Sequence, residues 1–179
     1  MRALVLALIG LGGCATTQAP ATAPTVAPEL RERAAALFDA AAHGDVLRIK
    51  MLVDWSRWRL VDGLEHAGSD EGAARVLSQL EAQPAPSPAL IDRAAQQLKT
   101  QLVALTGGPT PPELLGGTMN ATLATWRRGP GAGTPPALAR LETLVSEALD
   151  GAREVTYAGG RRVTLVFVGD RLAGVVEAQ

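Results

Sequence analysis

The hydrophobic pattern of this chain changes period near residue 150, and that change limits its fold more than any other feature. From Glu29 to Leu149 apolar residues recur at helical spacing; from Arg153 onward they alternate or run together between glycine turns. A chain divided in this way can bury both patterns by laying helices on a small sheet. The sequence therefore predicts an α+β fold: a mostly helical layer followed by a C-terminal three-stranded antiparallel meander.

Helices are expected over residues 29–42, 45–60, 70–82, 88–105, 111–116, 118–126 and 135–149. In the first, Leu30, Ala34, Leu37, Phe38 and Ala41 share a face, Glu29 and Glu32 suit the positive end of the dipole, and Gly44 is the stop. Asp45 caps the second, which runs through Ile49, Leu52 and Val53 to Leu60, with residues 61–68 read as irregular. Ser69 caps the third, followed by Asp70 and Glu71 and the stripe Ala73, Val76, Leu77 and Leu80. Residues 83–88 form a proline-rich connector in which Ser87 caps and Pro88 takes the first helical position. The longest helix then turns Ile91, Ala94, Ala95, Leu98, Leu102 and Leu105 inward. Thr110-Pro111-Pro112-Glu113 has the spacing of a capping box and predicts a short helix to Gly116. Strands are expected at 153–158, 162–168 and 171–177, joined at Gly159-Gly160 and Gly169-Asp170.

The N-terminus has a different character. Met1 and Arg2 precede an uncharged apolar run from Ala3 to Leu11, the layout of a secretory signal peptide. The run is far shorter than the ~20 residues of a spanning helix. At its end Leu11-Gly12-Gly13-Cys14 resembles a bacterial lipobox: an aliphatic residue, two small residues and the cysteine. The resemblance implies cleavage between Gly13 and Cys14, a diacylglyceryl thioether on the Cys14 sulfur, and acylation of the new amine. The bilayer is then the first expected partner, reached through acylated Cys14. Ala15, where an Asp would signal retention at the inner membrane of a Gram-negative cell, favours the outer membrane. In a Gram-positive cell the same motif implies the outer face of the single membrane. The alternative is an ordinary signal peptide cut elsewhere.

These readings divide the chain into a signal peptide at 1–13, a lipidated flexible tether at 14–28 and one globular domain at 29–179. The tether is rich in Ala, Thr and Pro and carries too little apolar surface to fold alone. Cys14 is the one cysteine, so the chain has no internal disulfide and no cysteine metal cluster. A net charge of −1 gives no field to steer a polyanion, so nucleic acid is not an expected partner.

The segment from Leu37 to Val53 resembles the helix pair of one ankyrin repeat and the opening helices of nuclear-transport-factor-2-like domains. One copy cannot make an ankyrin stack, which needs about three repeats. The similarity covers less than a fifth of the chain.

Motifs of catalysis are sparse. Gly68-Ser69-Asp70-Glu71-Gly72 is not a nucleophile elbow, because no strand leads into it and Ser69 is a cap. His43 and His66 lack metal-ligand spacing, and the glycine clusters lack the Lys-Ser/Thr of a phosphate loop. No cofactor, metal or catalytic residue is expected. Candidate contacts for a partner or ligand are Phe38, Trp55, Arg57, Trp58 and Arg59, because aromatics and arginines concentrate at binding hot spots. The competing reading is that both tryptophans plug the core between the first two helices. Together these features favour a non-catalytic binding or scaffold domain for an envelope protein or a small apolar ligand. An anchored hydrolase of cell-wall or lipid substrates is the alternative, and two facing carboxylates in a pocket would favour it.

Overall fold

The computed structural model describes residues 26–106, 113–116, 121–159 and 161–177. Gly13, Cys14 and most of the expected tether lie outside these residues. Among the described residues there are seven helices: α1 (Pro28–Ala42), α2 (Val46–Leu52), α3 (Trp55–Ala67), α4 (Asp70–Ala82), α5 (Pro88–Thr106), α6 (Ala121–Arg128) and α7 (Pro136–Ala148). The strands are β1 (Glu113–Gly116), β2 (Arg153–Gly159), β3 (Arg161–Val168) and β4 (Arg171–Glu177). All pairings are antiparallel, in the order β1-β2-β3-β4.

The fold is α+β, with the expected meander as β2 to β4. A fourth strand joins it. Glu113–Gly116 pairs with β2, Leu114 opposite Tyr157, where the sequence predicted a helix over 111–116. The expected helix is corrected on physical grounds. The few residues available between proline and glycine pairs cannot repay helix nucleation, while β2 offers a ready row of backbone partners.

The sheet is covered on both faces. Side chains alternate along a strand, and β3 is apolar at both parities. Val163, Leu165 and Phe167 join Val155, Tyr157 and Leu172 beneath α1, α2 and α5. Val166 joins Ala173 and Val176 beneath α3, α4, α6 and α7. Buried Thr156 and Thr164 oppose each other on this second face, with their hydroxyls 3.0 Å apart. Each supplies the other's hydrogen-bond partner, which lets two polar groups sit in the core. Gly174 allows α3 to approach β4: a Cβ there would lie 2.6 Å from Val61 Cγ1.

The chain passes between layers at Val53-Asp54, inside the span predicted as one helix over 45–60. Val53 is extended (φ −109°, ψ 139°) and bridges to Leu172, and the Asp54 N–H donates to the Leu172 carbonyl at 2.9 Å. The Asp54 carboxylate then caps α3, accepting from the Arg57 N–H at 3.1 Å. Residues expected to be irregular after Leu60 continue α3 to Ala67, where Gly68 stops it in the left-handed conformation. The break has a use: the bridge covers part of the β4 edge.

Three other boundaries move. Val26 is buried in the core beside Leu30, so the last residues assigned to the tether belong to the domain, and α1 begins at Pro28. The helix expected at 118–126 is α6, Ala121–Arg128; residues 118–120 lie outside the described ones. The last helix, expected at 135–149, has no cap from its own sequence, and the N–H groups of Ala137 and Leu138 donate to the Asp70 carboxylate at 2.8 and 3.0 Å. Asp70 thus caps α7 across 67 residues, in addition to opening α4.

Candidate functional site

A cleft of about 1000 Å³ lies between α5 on one side and α3 and α4 on the other. It exists because the two walls are packed on different neighbours. α5 rests on α1 and α2, while α3 and α4 pack on each other and on α7. The proline-rich connector from Ala82 to Pro88 joins the walls. The volume is at the upper end of the range for small-molecule sites.

Trp58 is half-buried at the cleft, tilted at 56° to Trp55 with ring centroids 6.1 Å apart. Leu90, Ala94 and Val76 add apolar lining. The remaining lining is polar. Arg93, Gln97 and Gln101 follow at intervals of four along α5, so they form one row on that helix. Opposite them stand Asp62 and His66 of α3 and Gln79 of α4.

The five residues singled out in the sequence are placed in different roles. Trp55 is in the core, and its indole N–H donates to the Lys50 carbonyl at 3.0 Å. Phe38 is half-buried, edge-on to Tyr157 at 5.0 Å. Arg57 pairs with Asp54 at 2.5 Å and donates through Nε to the Ala148 carbonyl at 3.0 Å, at the end of α7. Arg59 donates to the Gln79 carbonyl at 2.7 Å and to that of Gln83, at the end of α4. Both guanidinium groups thus sit at helix C-termini, where the dipole favours a cation; the Gln79 carbonyl also accepts the Gln83 N–H at 3.1 Å. Trp58 and Arg59 line the cleft; Phe38, Trp55 and Arg57 do not.

Two groups near the cleft have shifted acidities. His66 Nδ1 lies 2.8 Å from the Asp62 carbonyl oxygen. That oxygen favours the protonated ring, and the carboxylates of Asp62 and Glu65 add to it, so His66 is held above its ordinary value against some desolvation. Partial burial pushes Glu65 up, and the carboxylates of Asp62 and Glu177 push the same way while His66 opposes them. Glu65 does not line the cleft, where Asp62 is the carboxylate among the lining residues. At the layer crossing, partial burial works to raise Asp54, but the N–H and guanidinium of Arg57 outweigh it and hold the carboxyl below its usual value.

A smaller recess of about 570 Å³ sits at the C-terminal end of α7, lined by Arg127, Ser146 and the turn from Leu149 to Ala152. Arg127 donates to the Ala152 carbonyl at 2.6 Å and lies 3.3 Å from the Glu154 carboxylate. Ser146 donates to the Arg127 carbonyl at 3.0 Å. These bonds close the helix end, and the surrounding carbonyls and carboxylates make the recess a poor place for an anion. Among the described residues no three His, Cys, Asp or Glu side chains gather as metal ligands.

The α5 row and Gln79 were not recognised in the sequence. Their signal was present as a four-residue spacing of long polar side chains beside the buried stripe. That pattern is also the ordinary solvated face of a helix, and only the position of α3 and α4 turns it into a wall. Comparison with protein-family models, with curated proteins and with solved structures found no match to this chain.

Proposed function

We propose that this chain is a lipid-anchored protein of the bacterial envelope, on the outer membrane, whose folded part is a binding or scaffold domain. The observation that carries the reading is Leu11-Gly12-Gly13-Cys14, a lipobox pattern that closes a short apolar run and contains the chain's one cysteine. Val26, the first described residue, is buried in the core and supports it from the other side. The 11 residues between Cys14 and Val26 can extend to at most ~40 Å, enough to let the domain stand off a bilayer and meet a partner. No described helix is long and apolar enough to cross a membrane.

The cleft supports binding as the role of the domain. It combines an indole surface with a row of unionised amide side chains, groups that position a ligand, beside the titratable Asp62 and His66. The test is Cys14→Ser in a bacterial host fed labelled palmitate. The variant should lose the label and give an uncleaved or soluble product. Membrane fractionation identical to that of the unaltered chain would contradict the proposal.

A further inference from the structure

We infer that the cleft between α3, α4 and α5 takes an uncharged oligosaccharide, a ligand class that deepens the binding role proposed above and rests on it. The argument starts from hydrogen-bonding capacity. Gln97 and Gln101 lie one helical turn apart on the cleft wall, and their side-chain amides make no bond to any described residue. Gln79 faces them with its own amide equally free, since Arg59 binds only its backbone carbonyl. Each amide carries two donors and an acceptor with two lone pairs. A row of such groups matches vicinal hydroxyls, each of which donates once and accepts twice.

The apolar part fits the same class. A pyranose ring has one face of C–H groups ringed by hydroxyls. Trp58 can receive that face on its indole while the amides take the rim, and Leu90 and Ala94 extend the dry surface beside it. A cleft of about 1000 Å³, open along the α5 row, suits several linked rings rather than one.

The lining disfavours the competing classes. Arg59 is engaged by the Gln79 and Gln83 carbonyls, and His66 lies 3.5 Å from the Asp62 carboxylate, so of the lining cations Arg93 alone is left to meet an anion. An extended peptide recognised by strand addition needs a sheet edge, whereas every lining residue is on a helix. A helical peptide needs a continuous apolar groove, and on the α5 wall the apolar lining stops at Ala94 and gives way to Gln97 and Gln101.

The experiment uses the full chain in a detergent without a sugar headgroup. Tetraacetylchitotetraose and cellotetraose are titrated separately while tryptophan emission and calorimetric heat are followed, with tetraalanine as the peptide control. Trp55 and Trp126 are buried, so Trp58 is the indole placed to report. Saturable binding of either glycan is expected, with Kd of about 0.1–1 mM. Gln97→Ala with Gln101→Ala should weaken it at least about tenfold while the melting temperature is kept, because both positions are exposed. Trp58→Phe should reduce it with the fold intact. Absence of saturable binding by both glycans, wild-type affinity in the double glutamine variant, or an equal response to tetraalanine would overturn the inference. The mass of the same sample reports Cys14. A lipidated chain that ignores sugars removes this inference alone, and a free thiol removes the envelope reading alone.

Discussion

On one face of the sheet, α1, α2 and α5 are held by large side chains. Leu37, Ile49, Trp55, Leu98, Leu102 and Phe167 meet there, and Phe38 stands edge-on to Tyr157. The caps on that side are mostly local: Asp45 accepts from Arg48 N–H three residues on, and Ser87 from Leu90 N–H. On the other face, the core beneath α3, α4, α6 and α7 is largely Val, Ala and Leu, with Trp126 its one aromatic residue among those buried. Local caps occur here too, at Asp54 and Ser69, and distant polar pairs occur on the first face, Lys50 with Asp92 and Arg33 with the Gly169 carbonyl. What sets the second face apart is that its distant bonds fall at helix ends. Arg57 reaches Ala148, Arg59 reaches Gln79 and Gln83, and Asp70 reaches Ala137 and Leu138. The contrast shows two ways to fasten a helix to a sheet: burying enough apolar area that position follows from shape, or completing one helix's unpaired end with another's side chain. It also explains the cleft, since two layers fastened by different means need not close on each other between α5 and α3–α4.

The largest effect should come from the side chain on which the first face most depends. Phe167→Ala removes a fully buried ring and should cost ~3–5 kcal/mol. Chemical denaturation should show one cooperative transition. Two separated transitions would mean that the layers are independent units and that the comparison understates their difference.

Asp70→Ala attacks the second mode of fastening. It leaves two N–H groups at the start of α7 without their acceptor and should cost ~1–2 kcal/mol. Hydrogen exchange should quicken at Ala137 and Leu138 while α1 stays protected. Equal quickening in both layers would sink the idea that this bond serves α7 locally.

A smaller effect belongs to His66. A folded-state pKa raised above the ordinary 6.5 means that the stability contributed by the charged ring is fully present below that value. It is lost as pH rises through the higher folded-state value. The ring is 71% exposed, so screening keeps the contribution small. An NMR titration should place the His66 midpoint above that of a free imidazole, and Asp62→Asn should bring it part of the way down. A midpoint unmoved by Asp62→Asn would assign the shift to the backbone carbonyl and Glu65.

These contrasts also explain what could be read in the sequence. The helices of the first layer carry their own punctuation: Gly44 and Asp45, Ser87 and Pro88. The bounds of α1 and α5, and the start of α2, lie within a residue of those predicted. The meander was legible because β3 is apolar at both parities and lies between glycine turns. The break at Val53-Asp54 was not, because its cause is the Leu172 carbonyl, more than a hundred residues later. Nor was β1, whose local spacing imitates a capping box and whose partner is β2. The same holds for the site. Trp58 stood out as a large residue, but Arg57 and Arg59, which share the composition of a hot spot, are engaged by helix ends. Gln97 and Gln101 are exposed in the structure too, and only the second wall opposite them makes them part of a cleft.

The intact mass of the chain purified from membranes of its own host probes the proposed anchor without altering a residue. The proposal predicts loss of residues 1–13 and a first residue, Cys14, heavier by a diacylglyceryl group and an amide-linked acyl chain. A product that keeps Met1, or one with an unmodified Cys14 thiol, would contradict it.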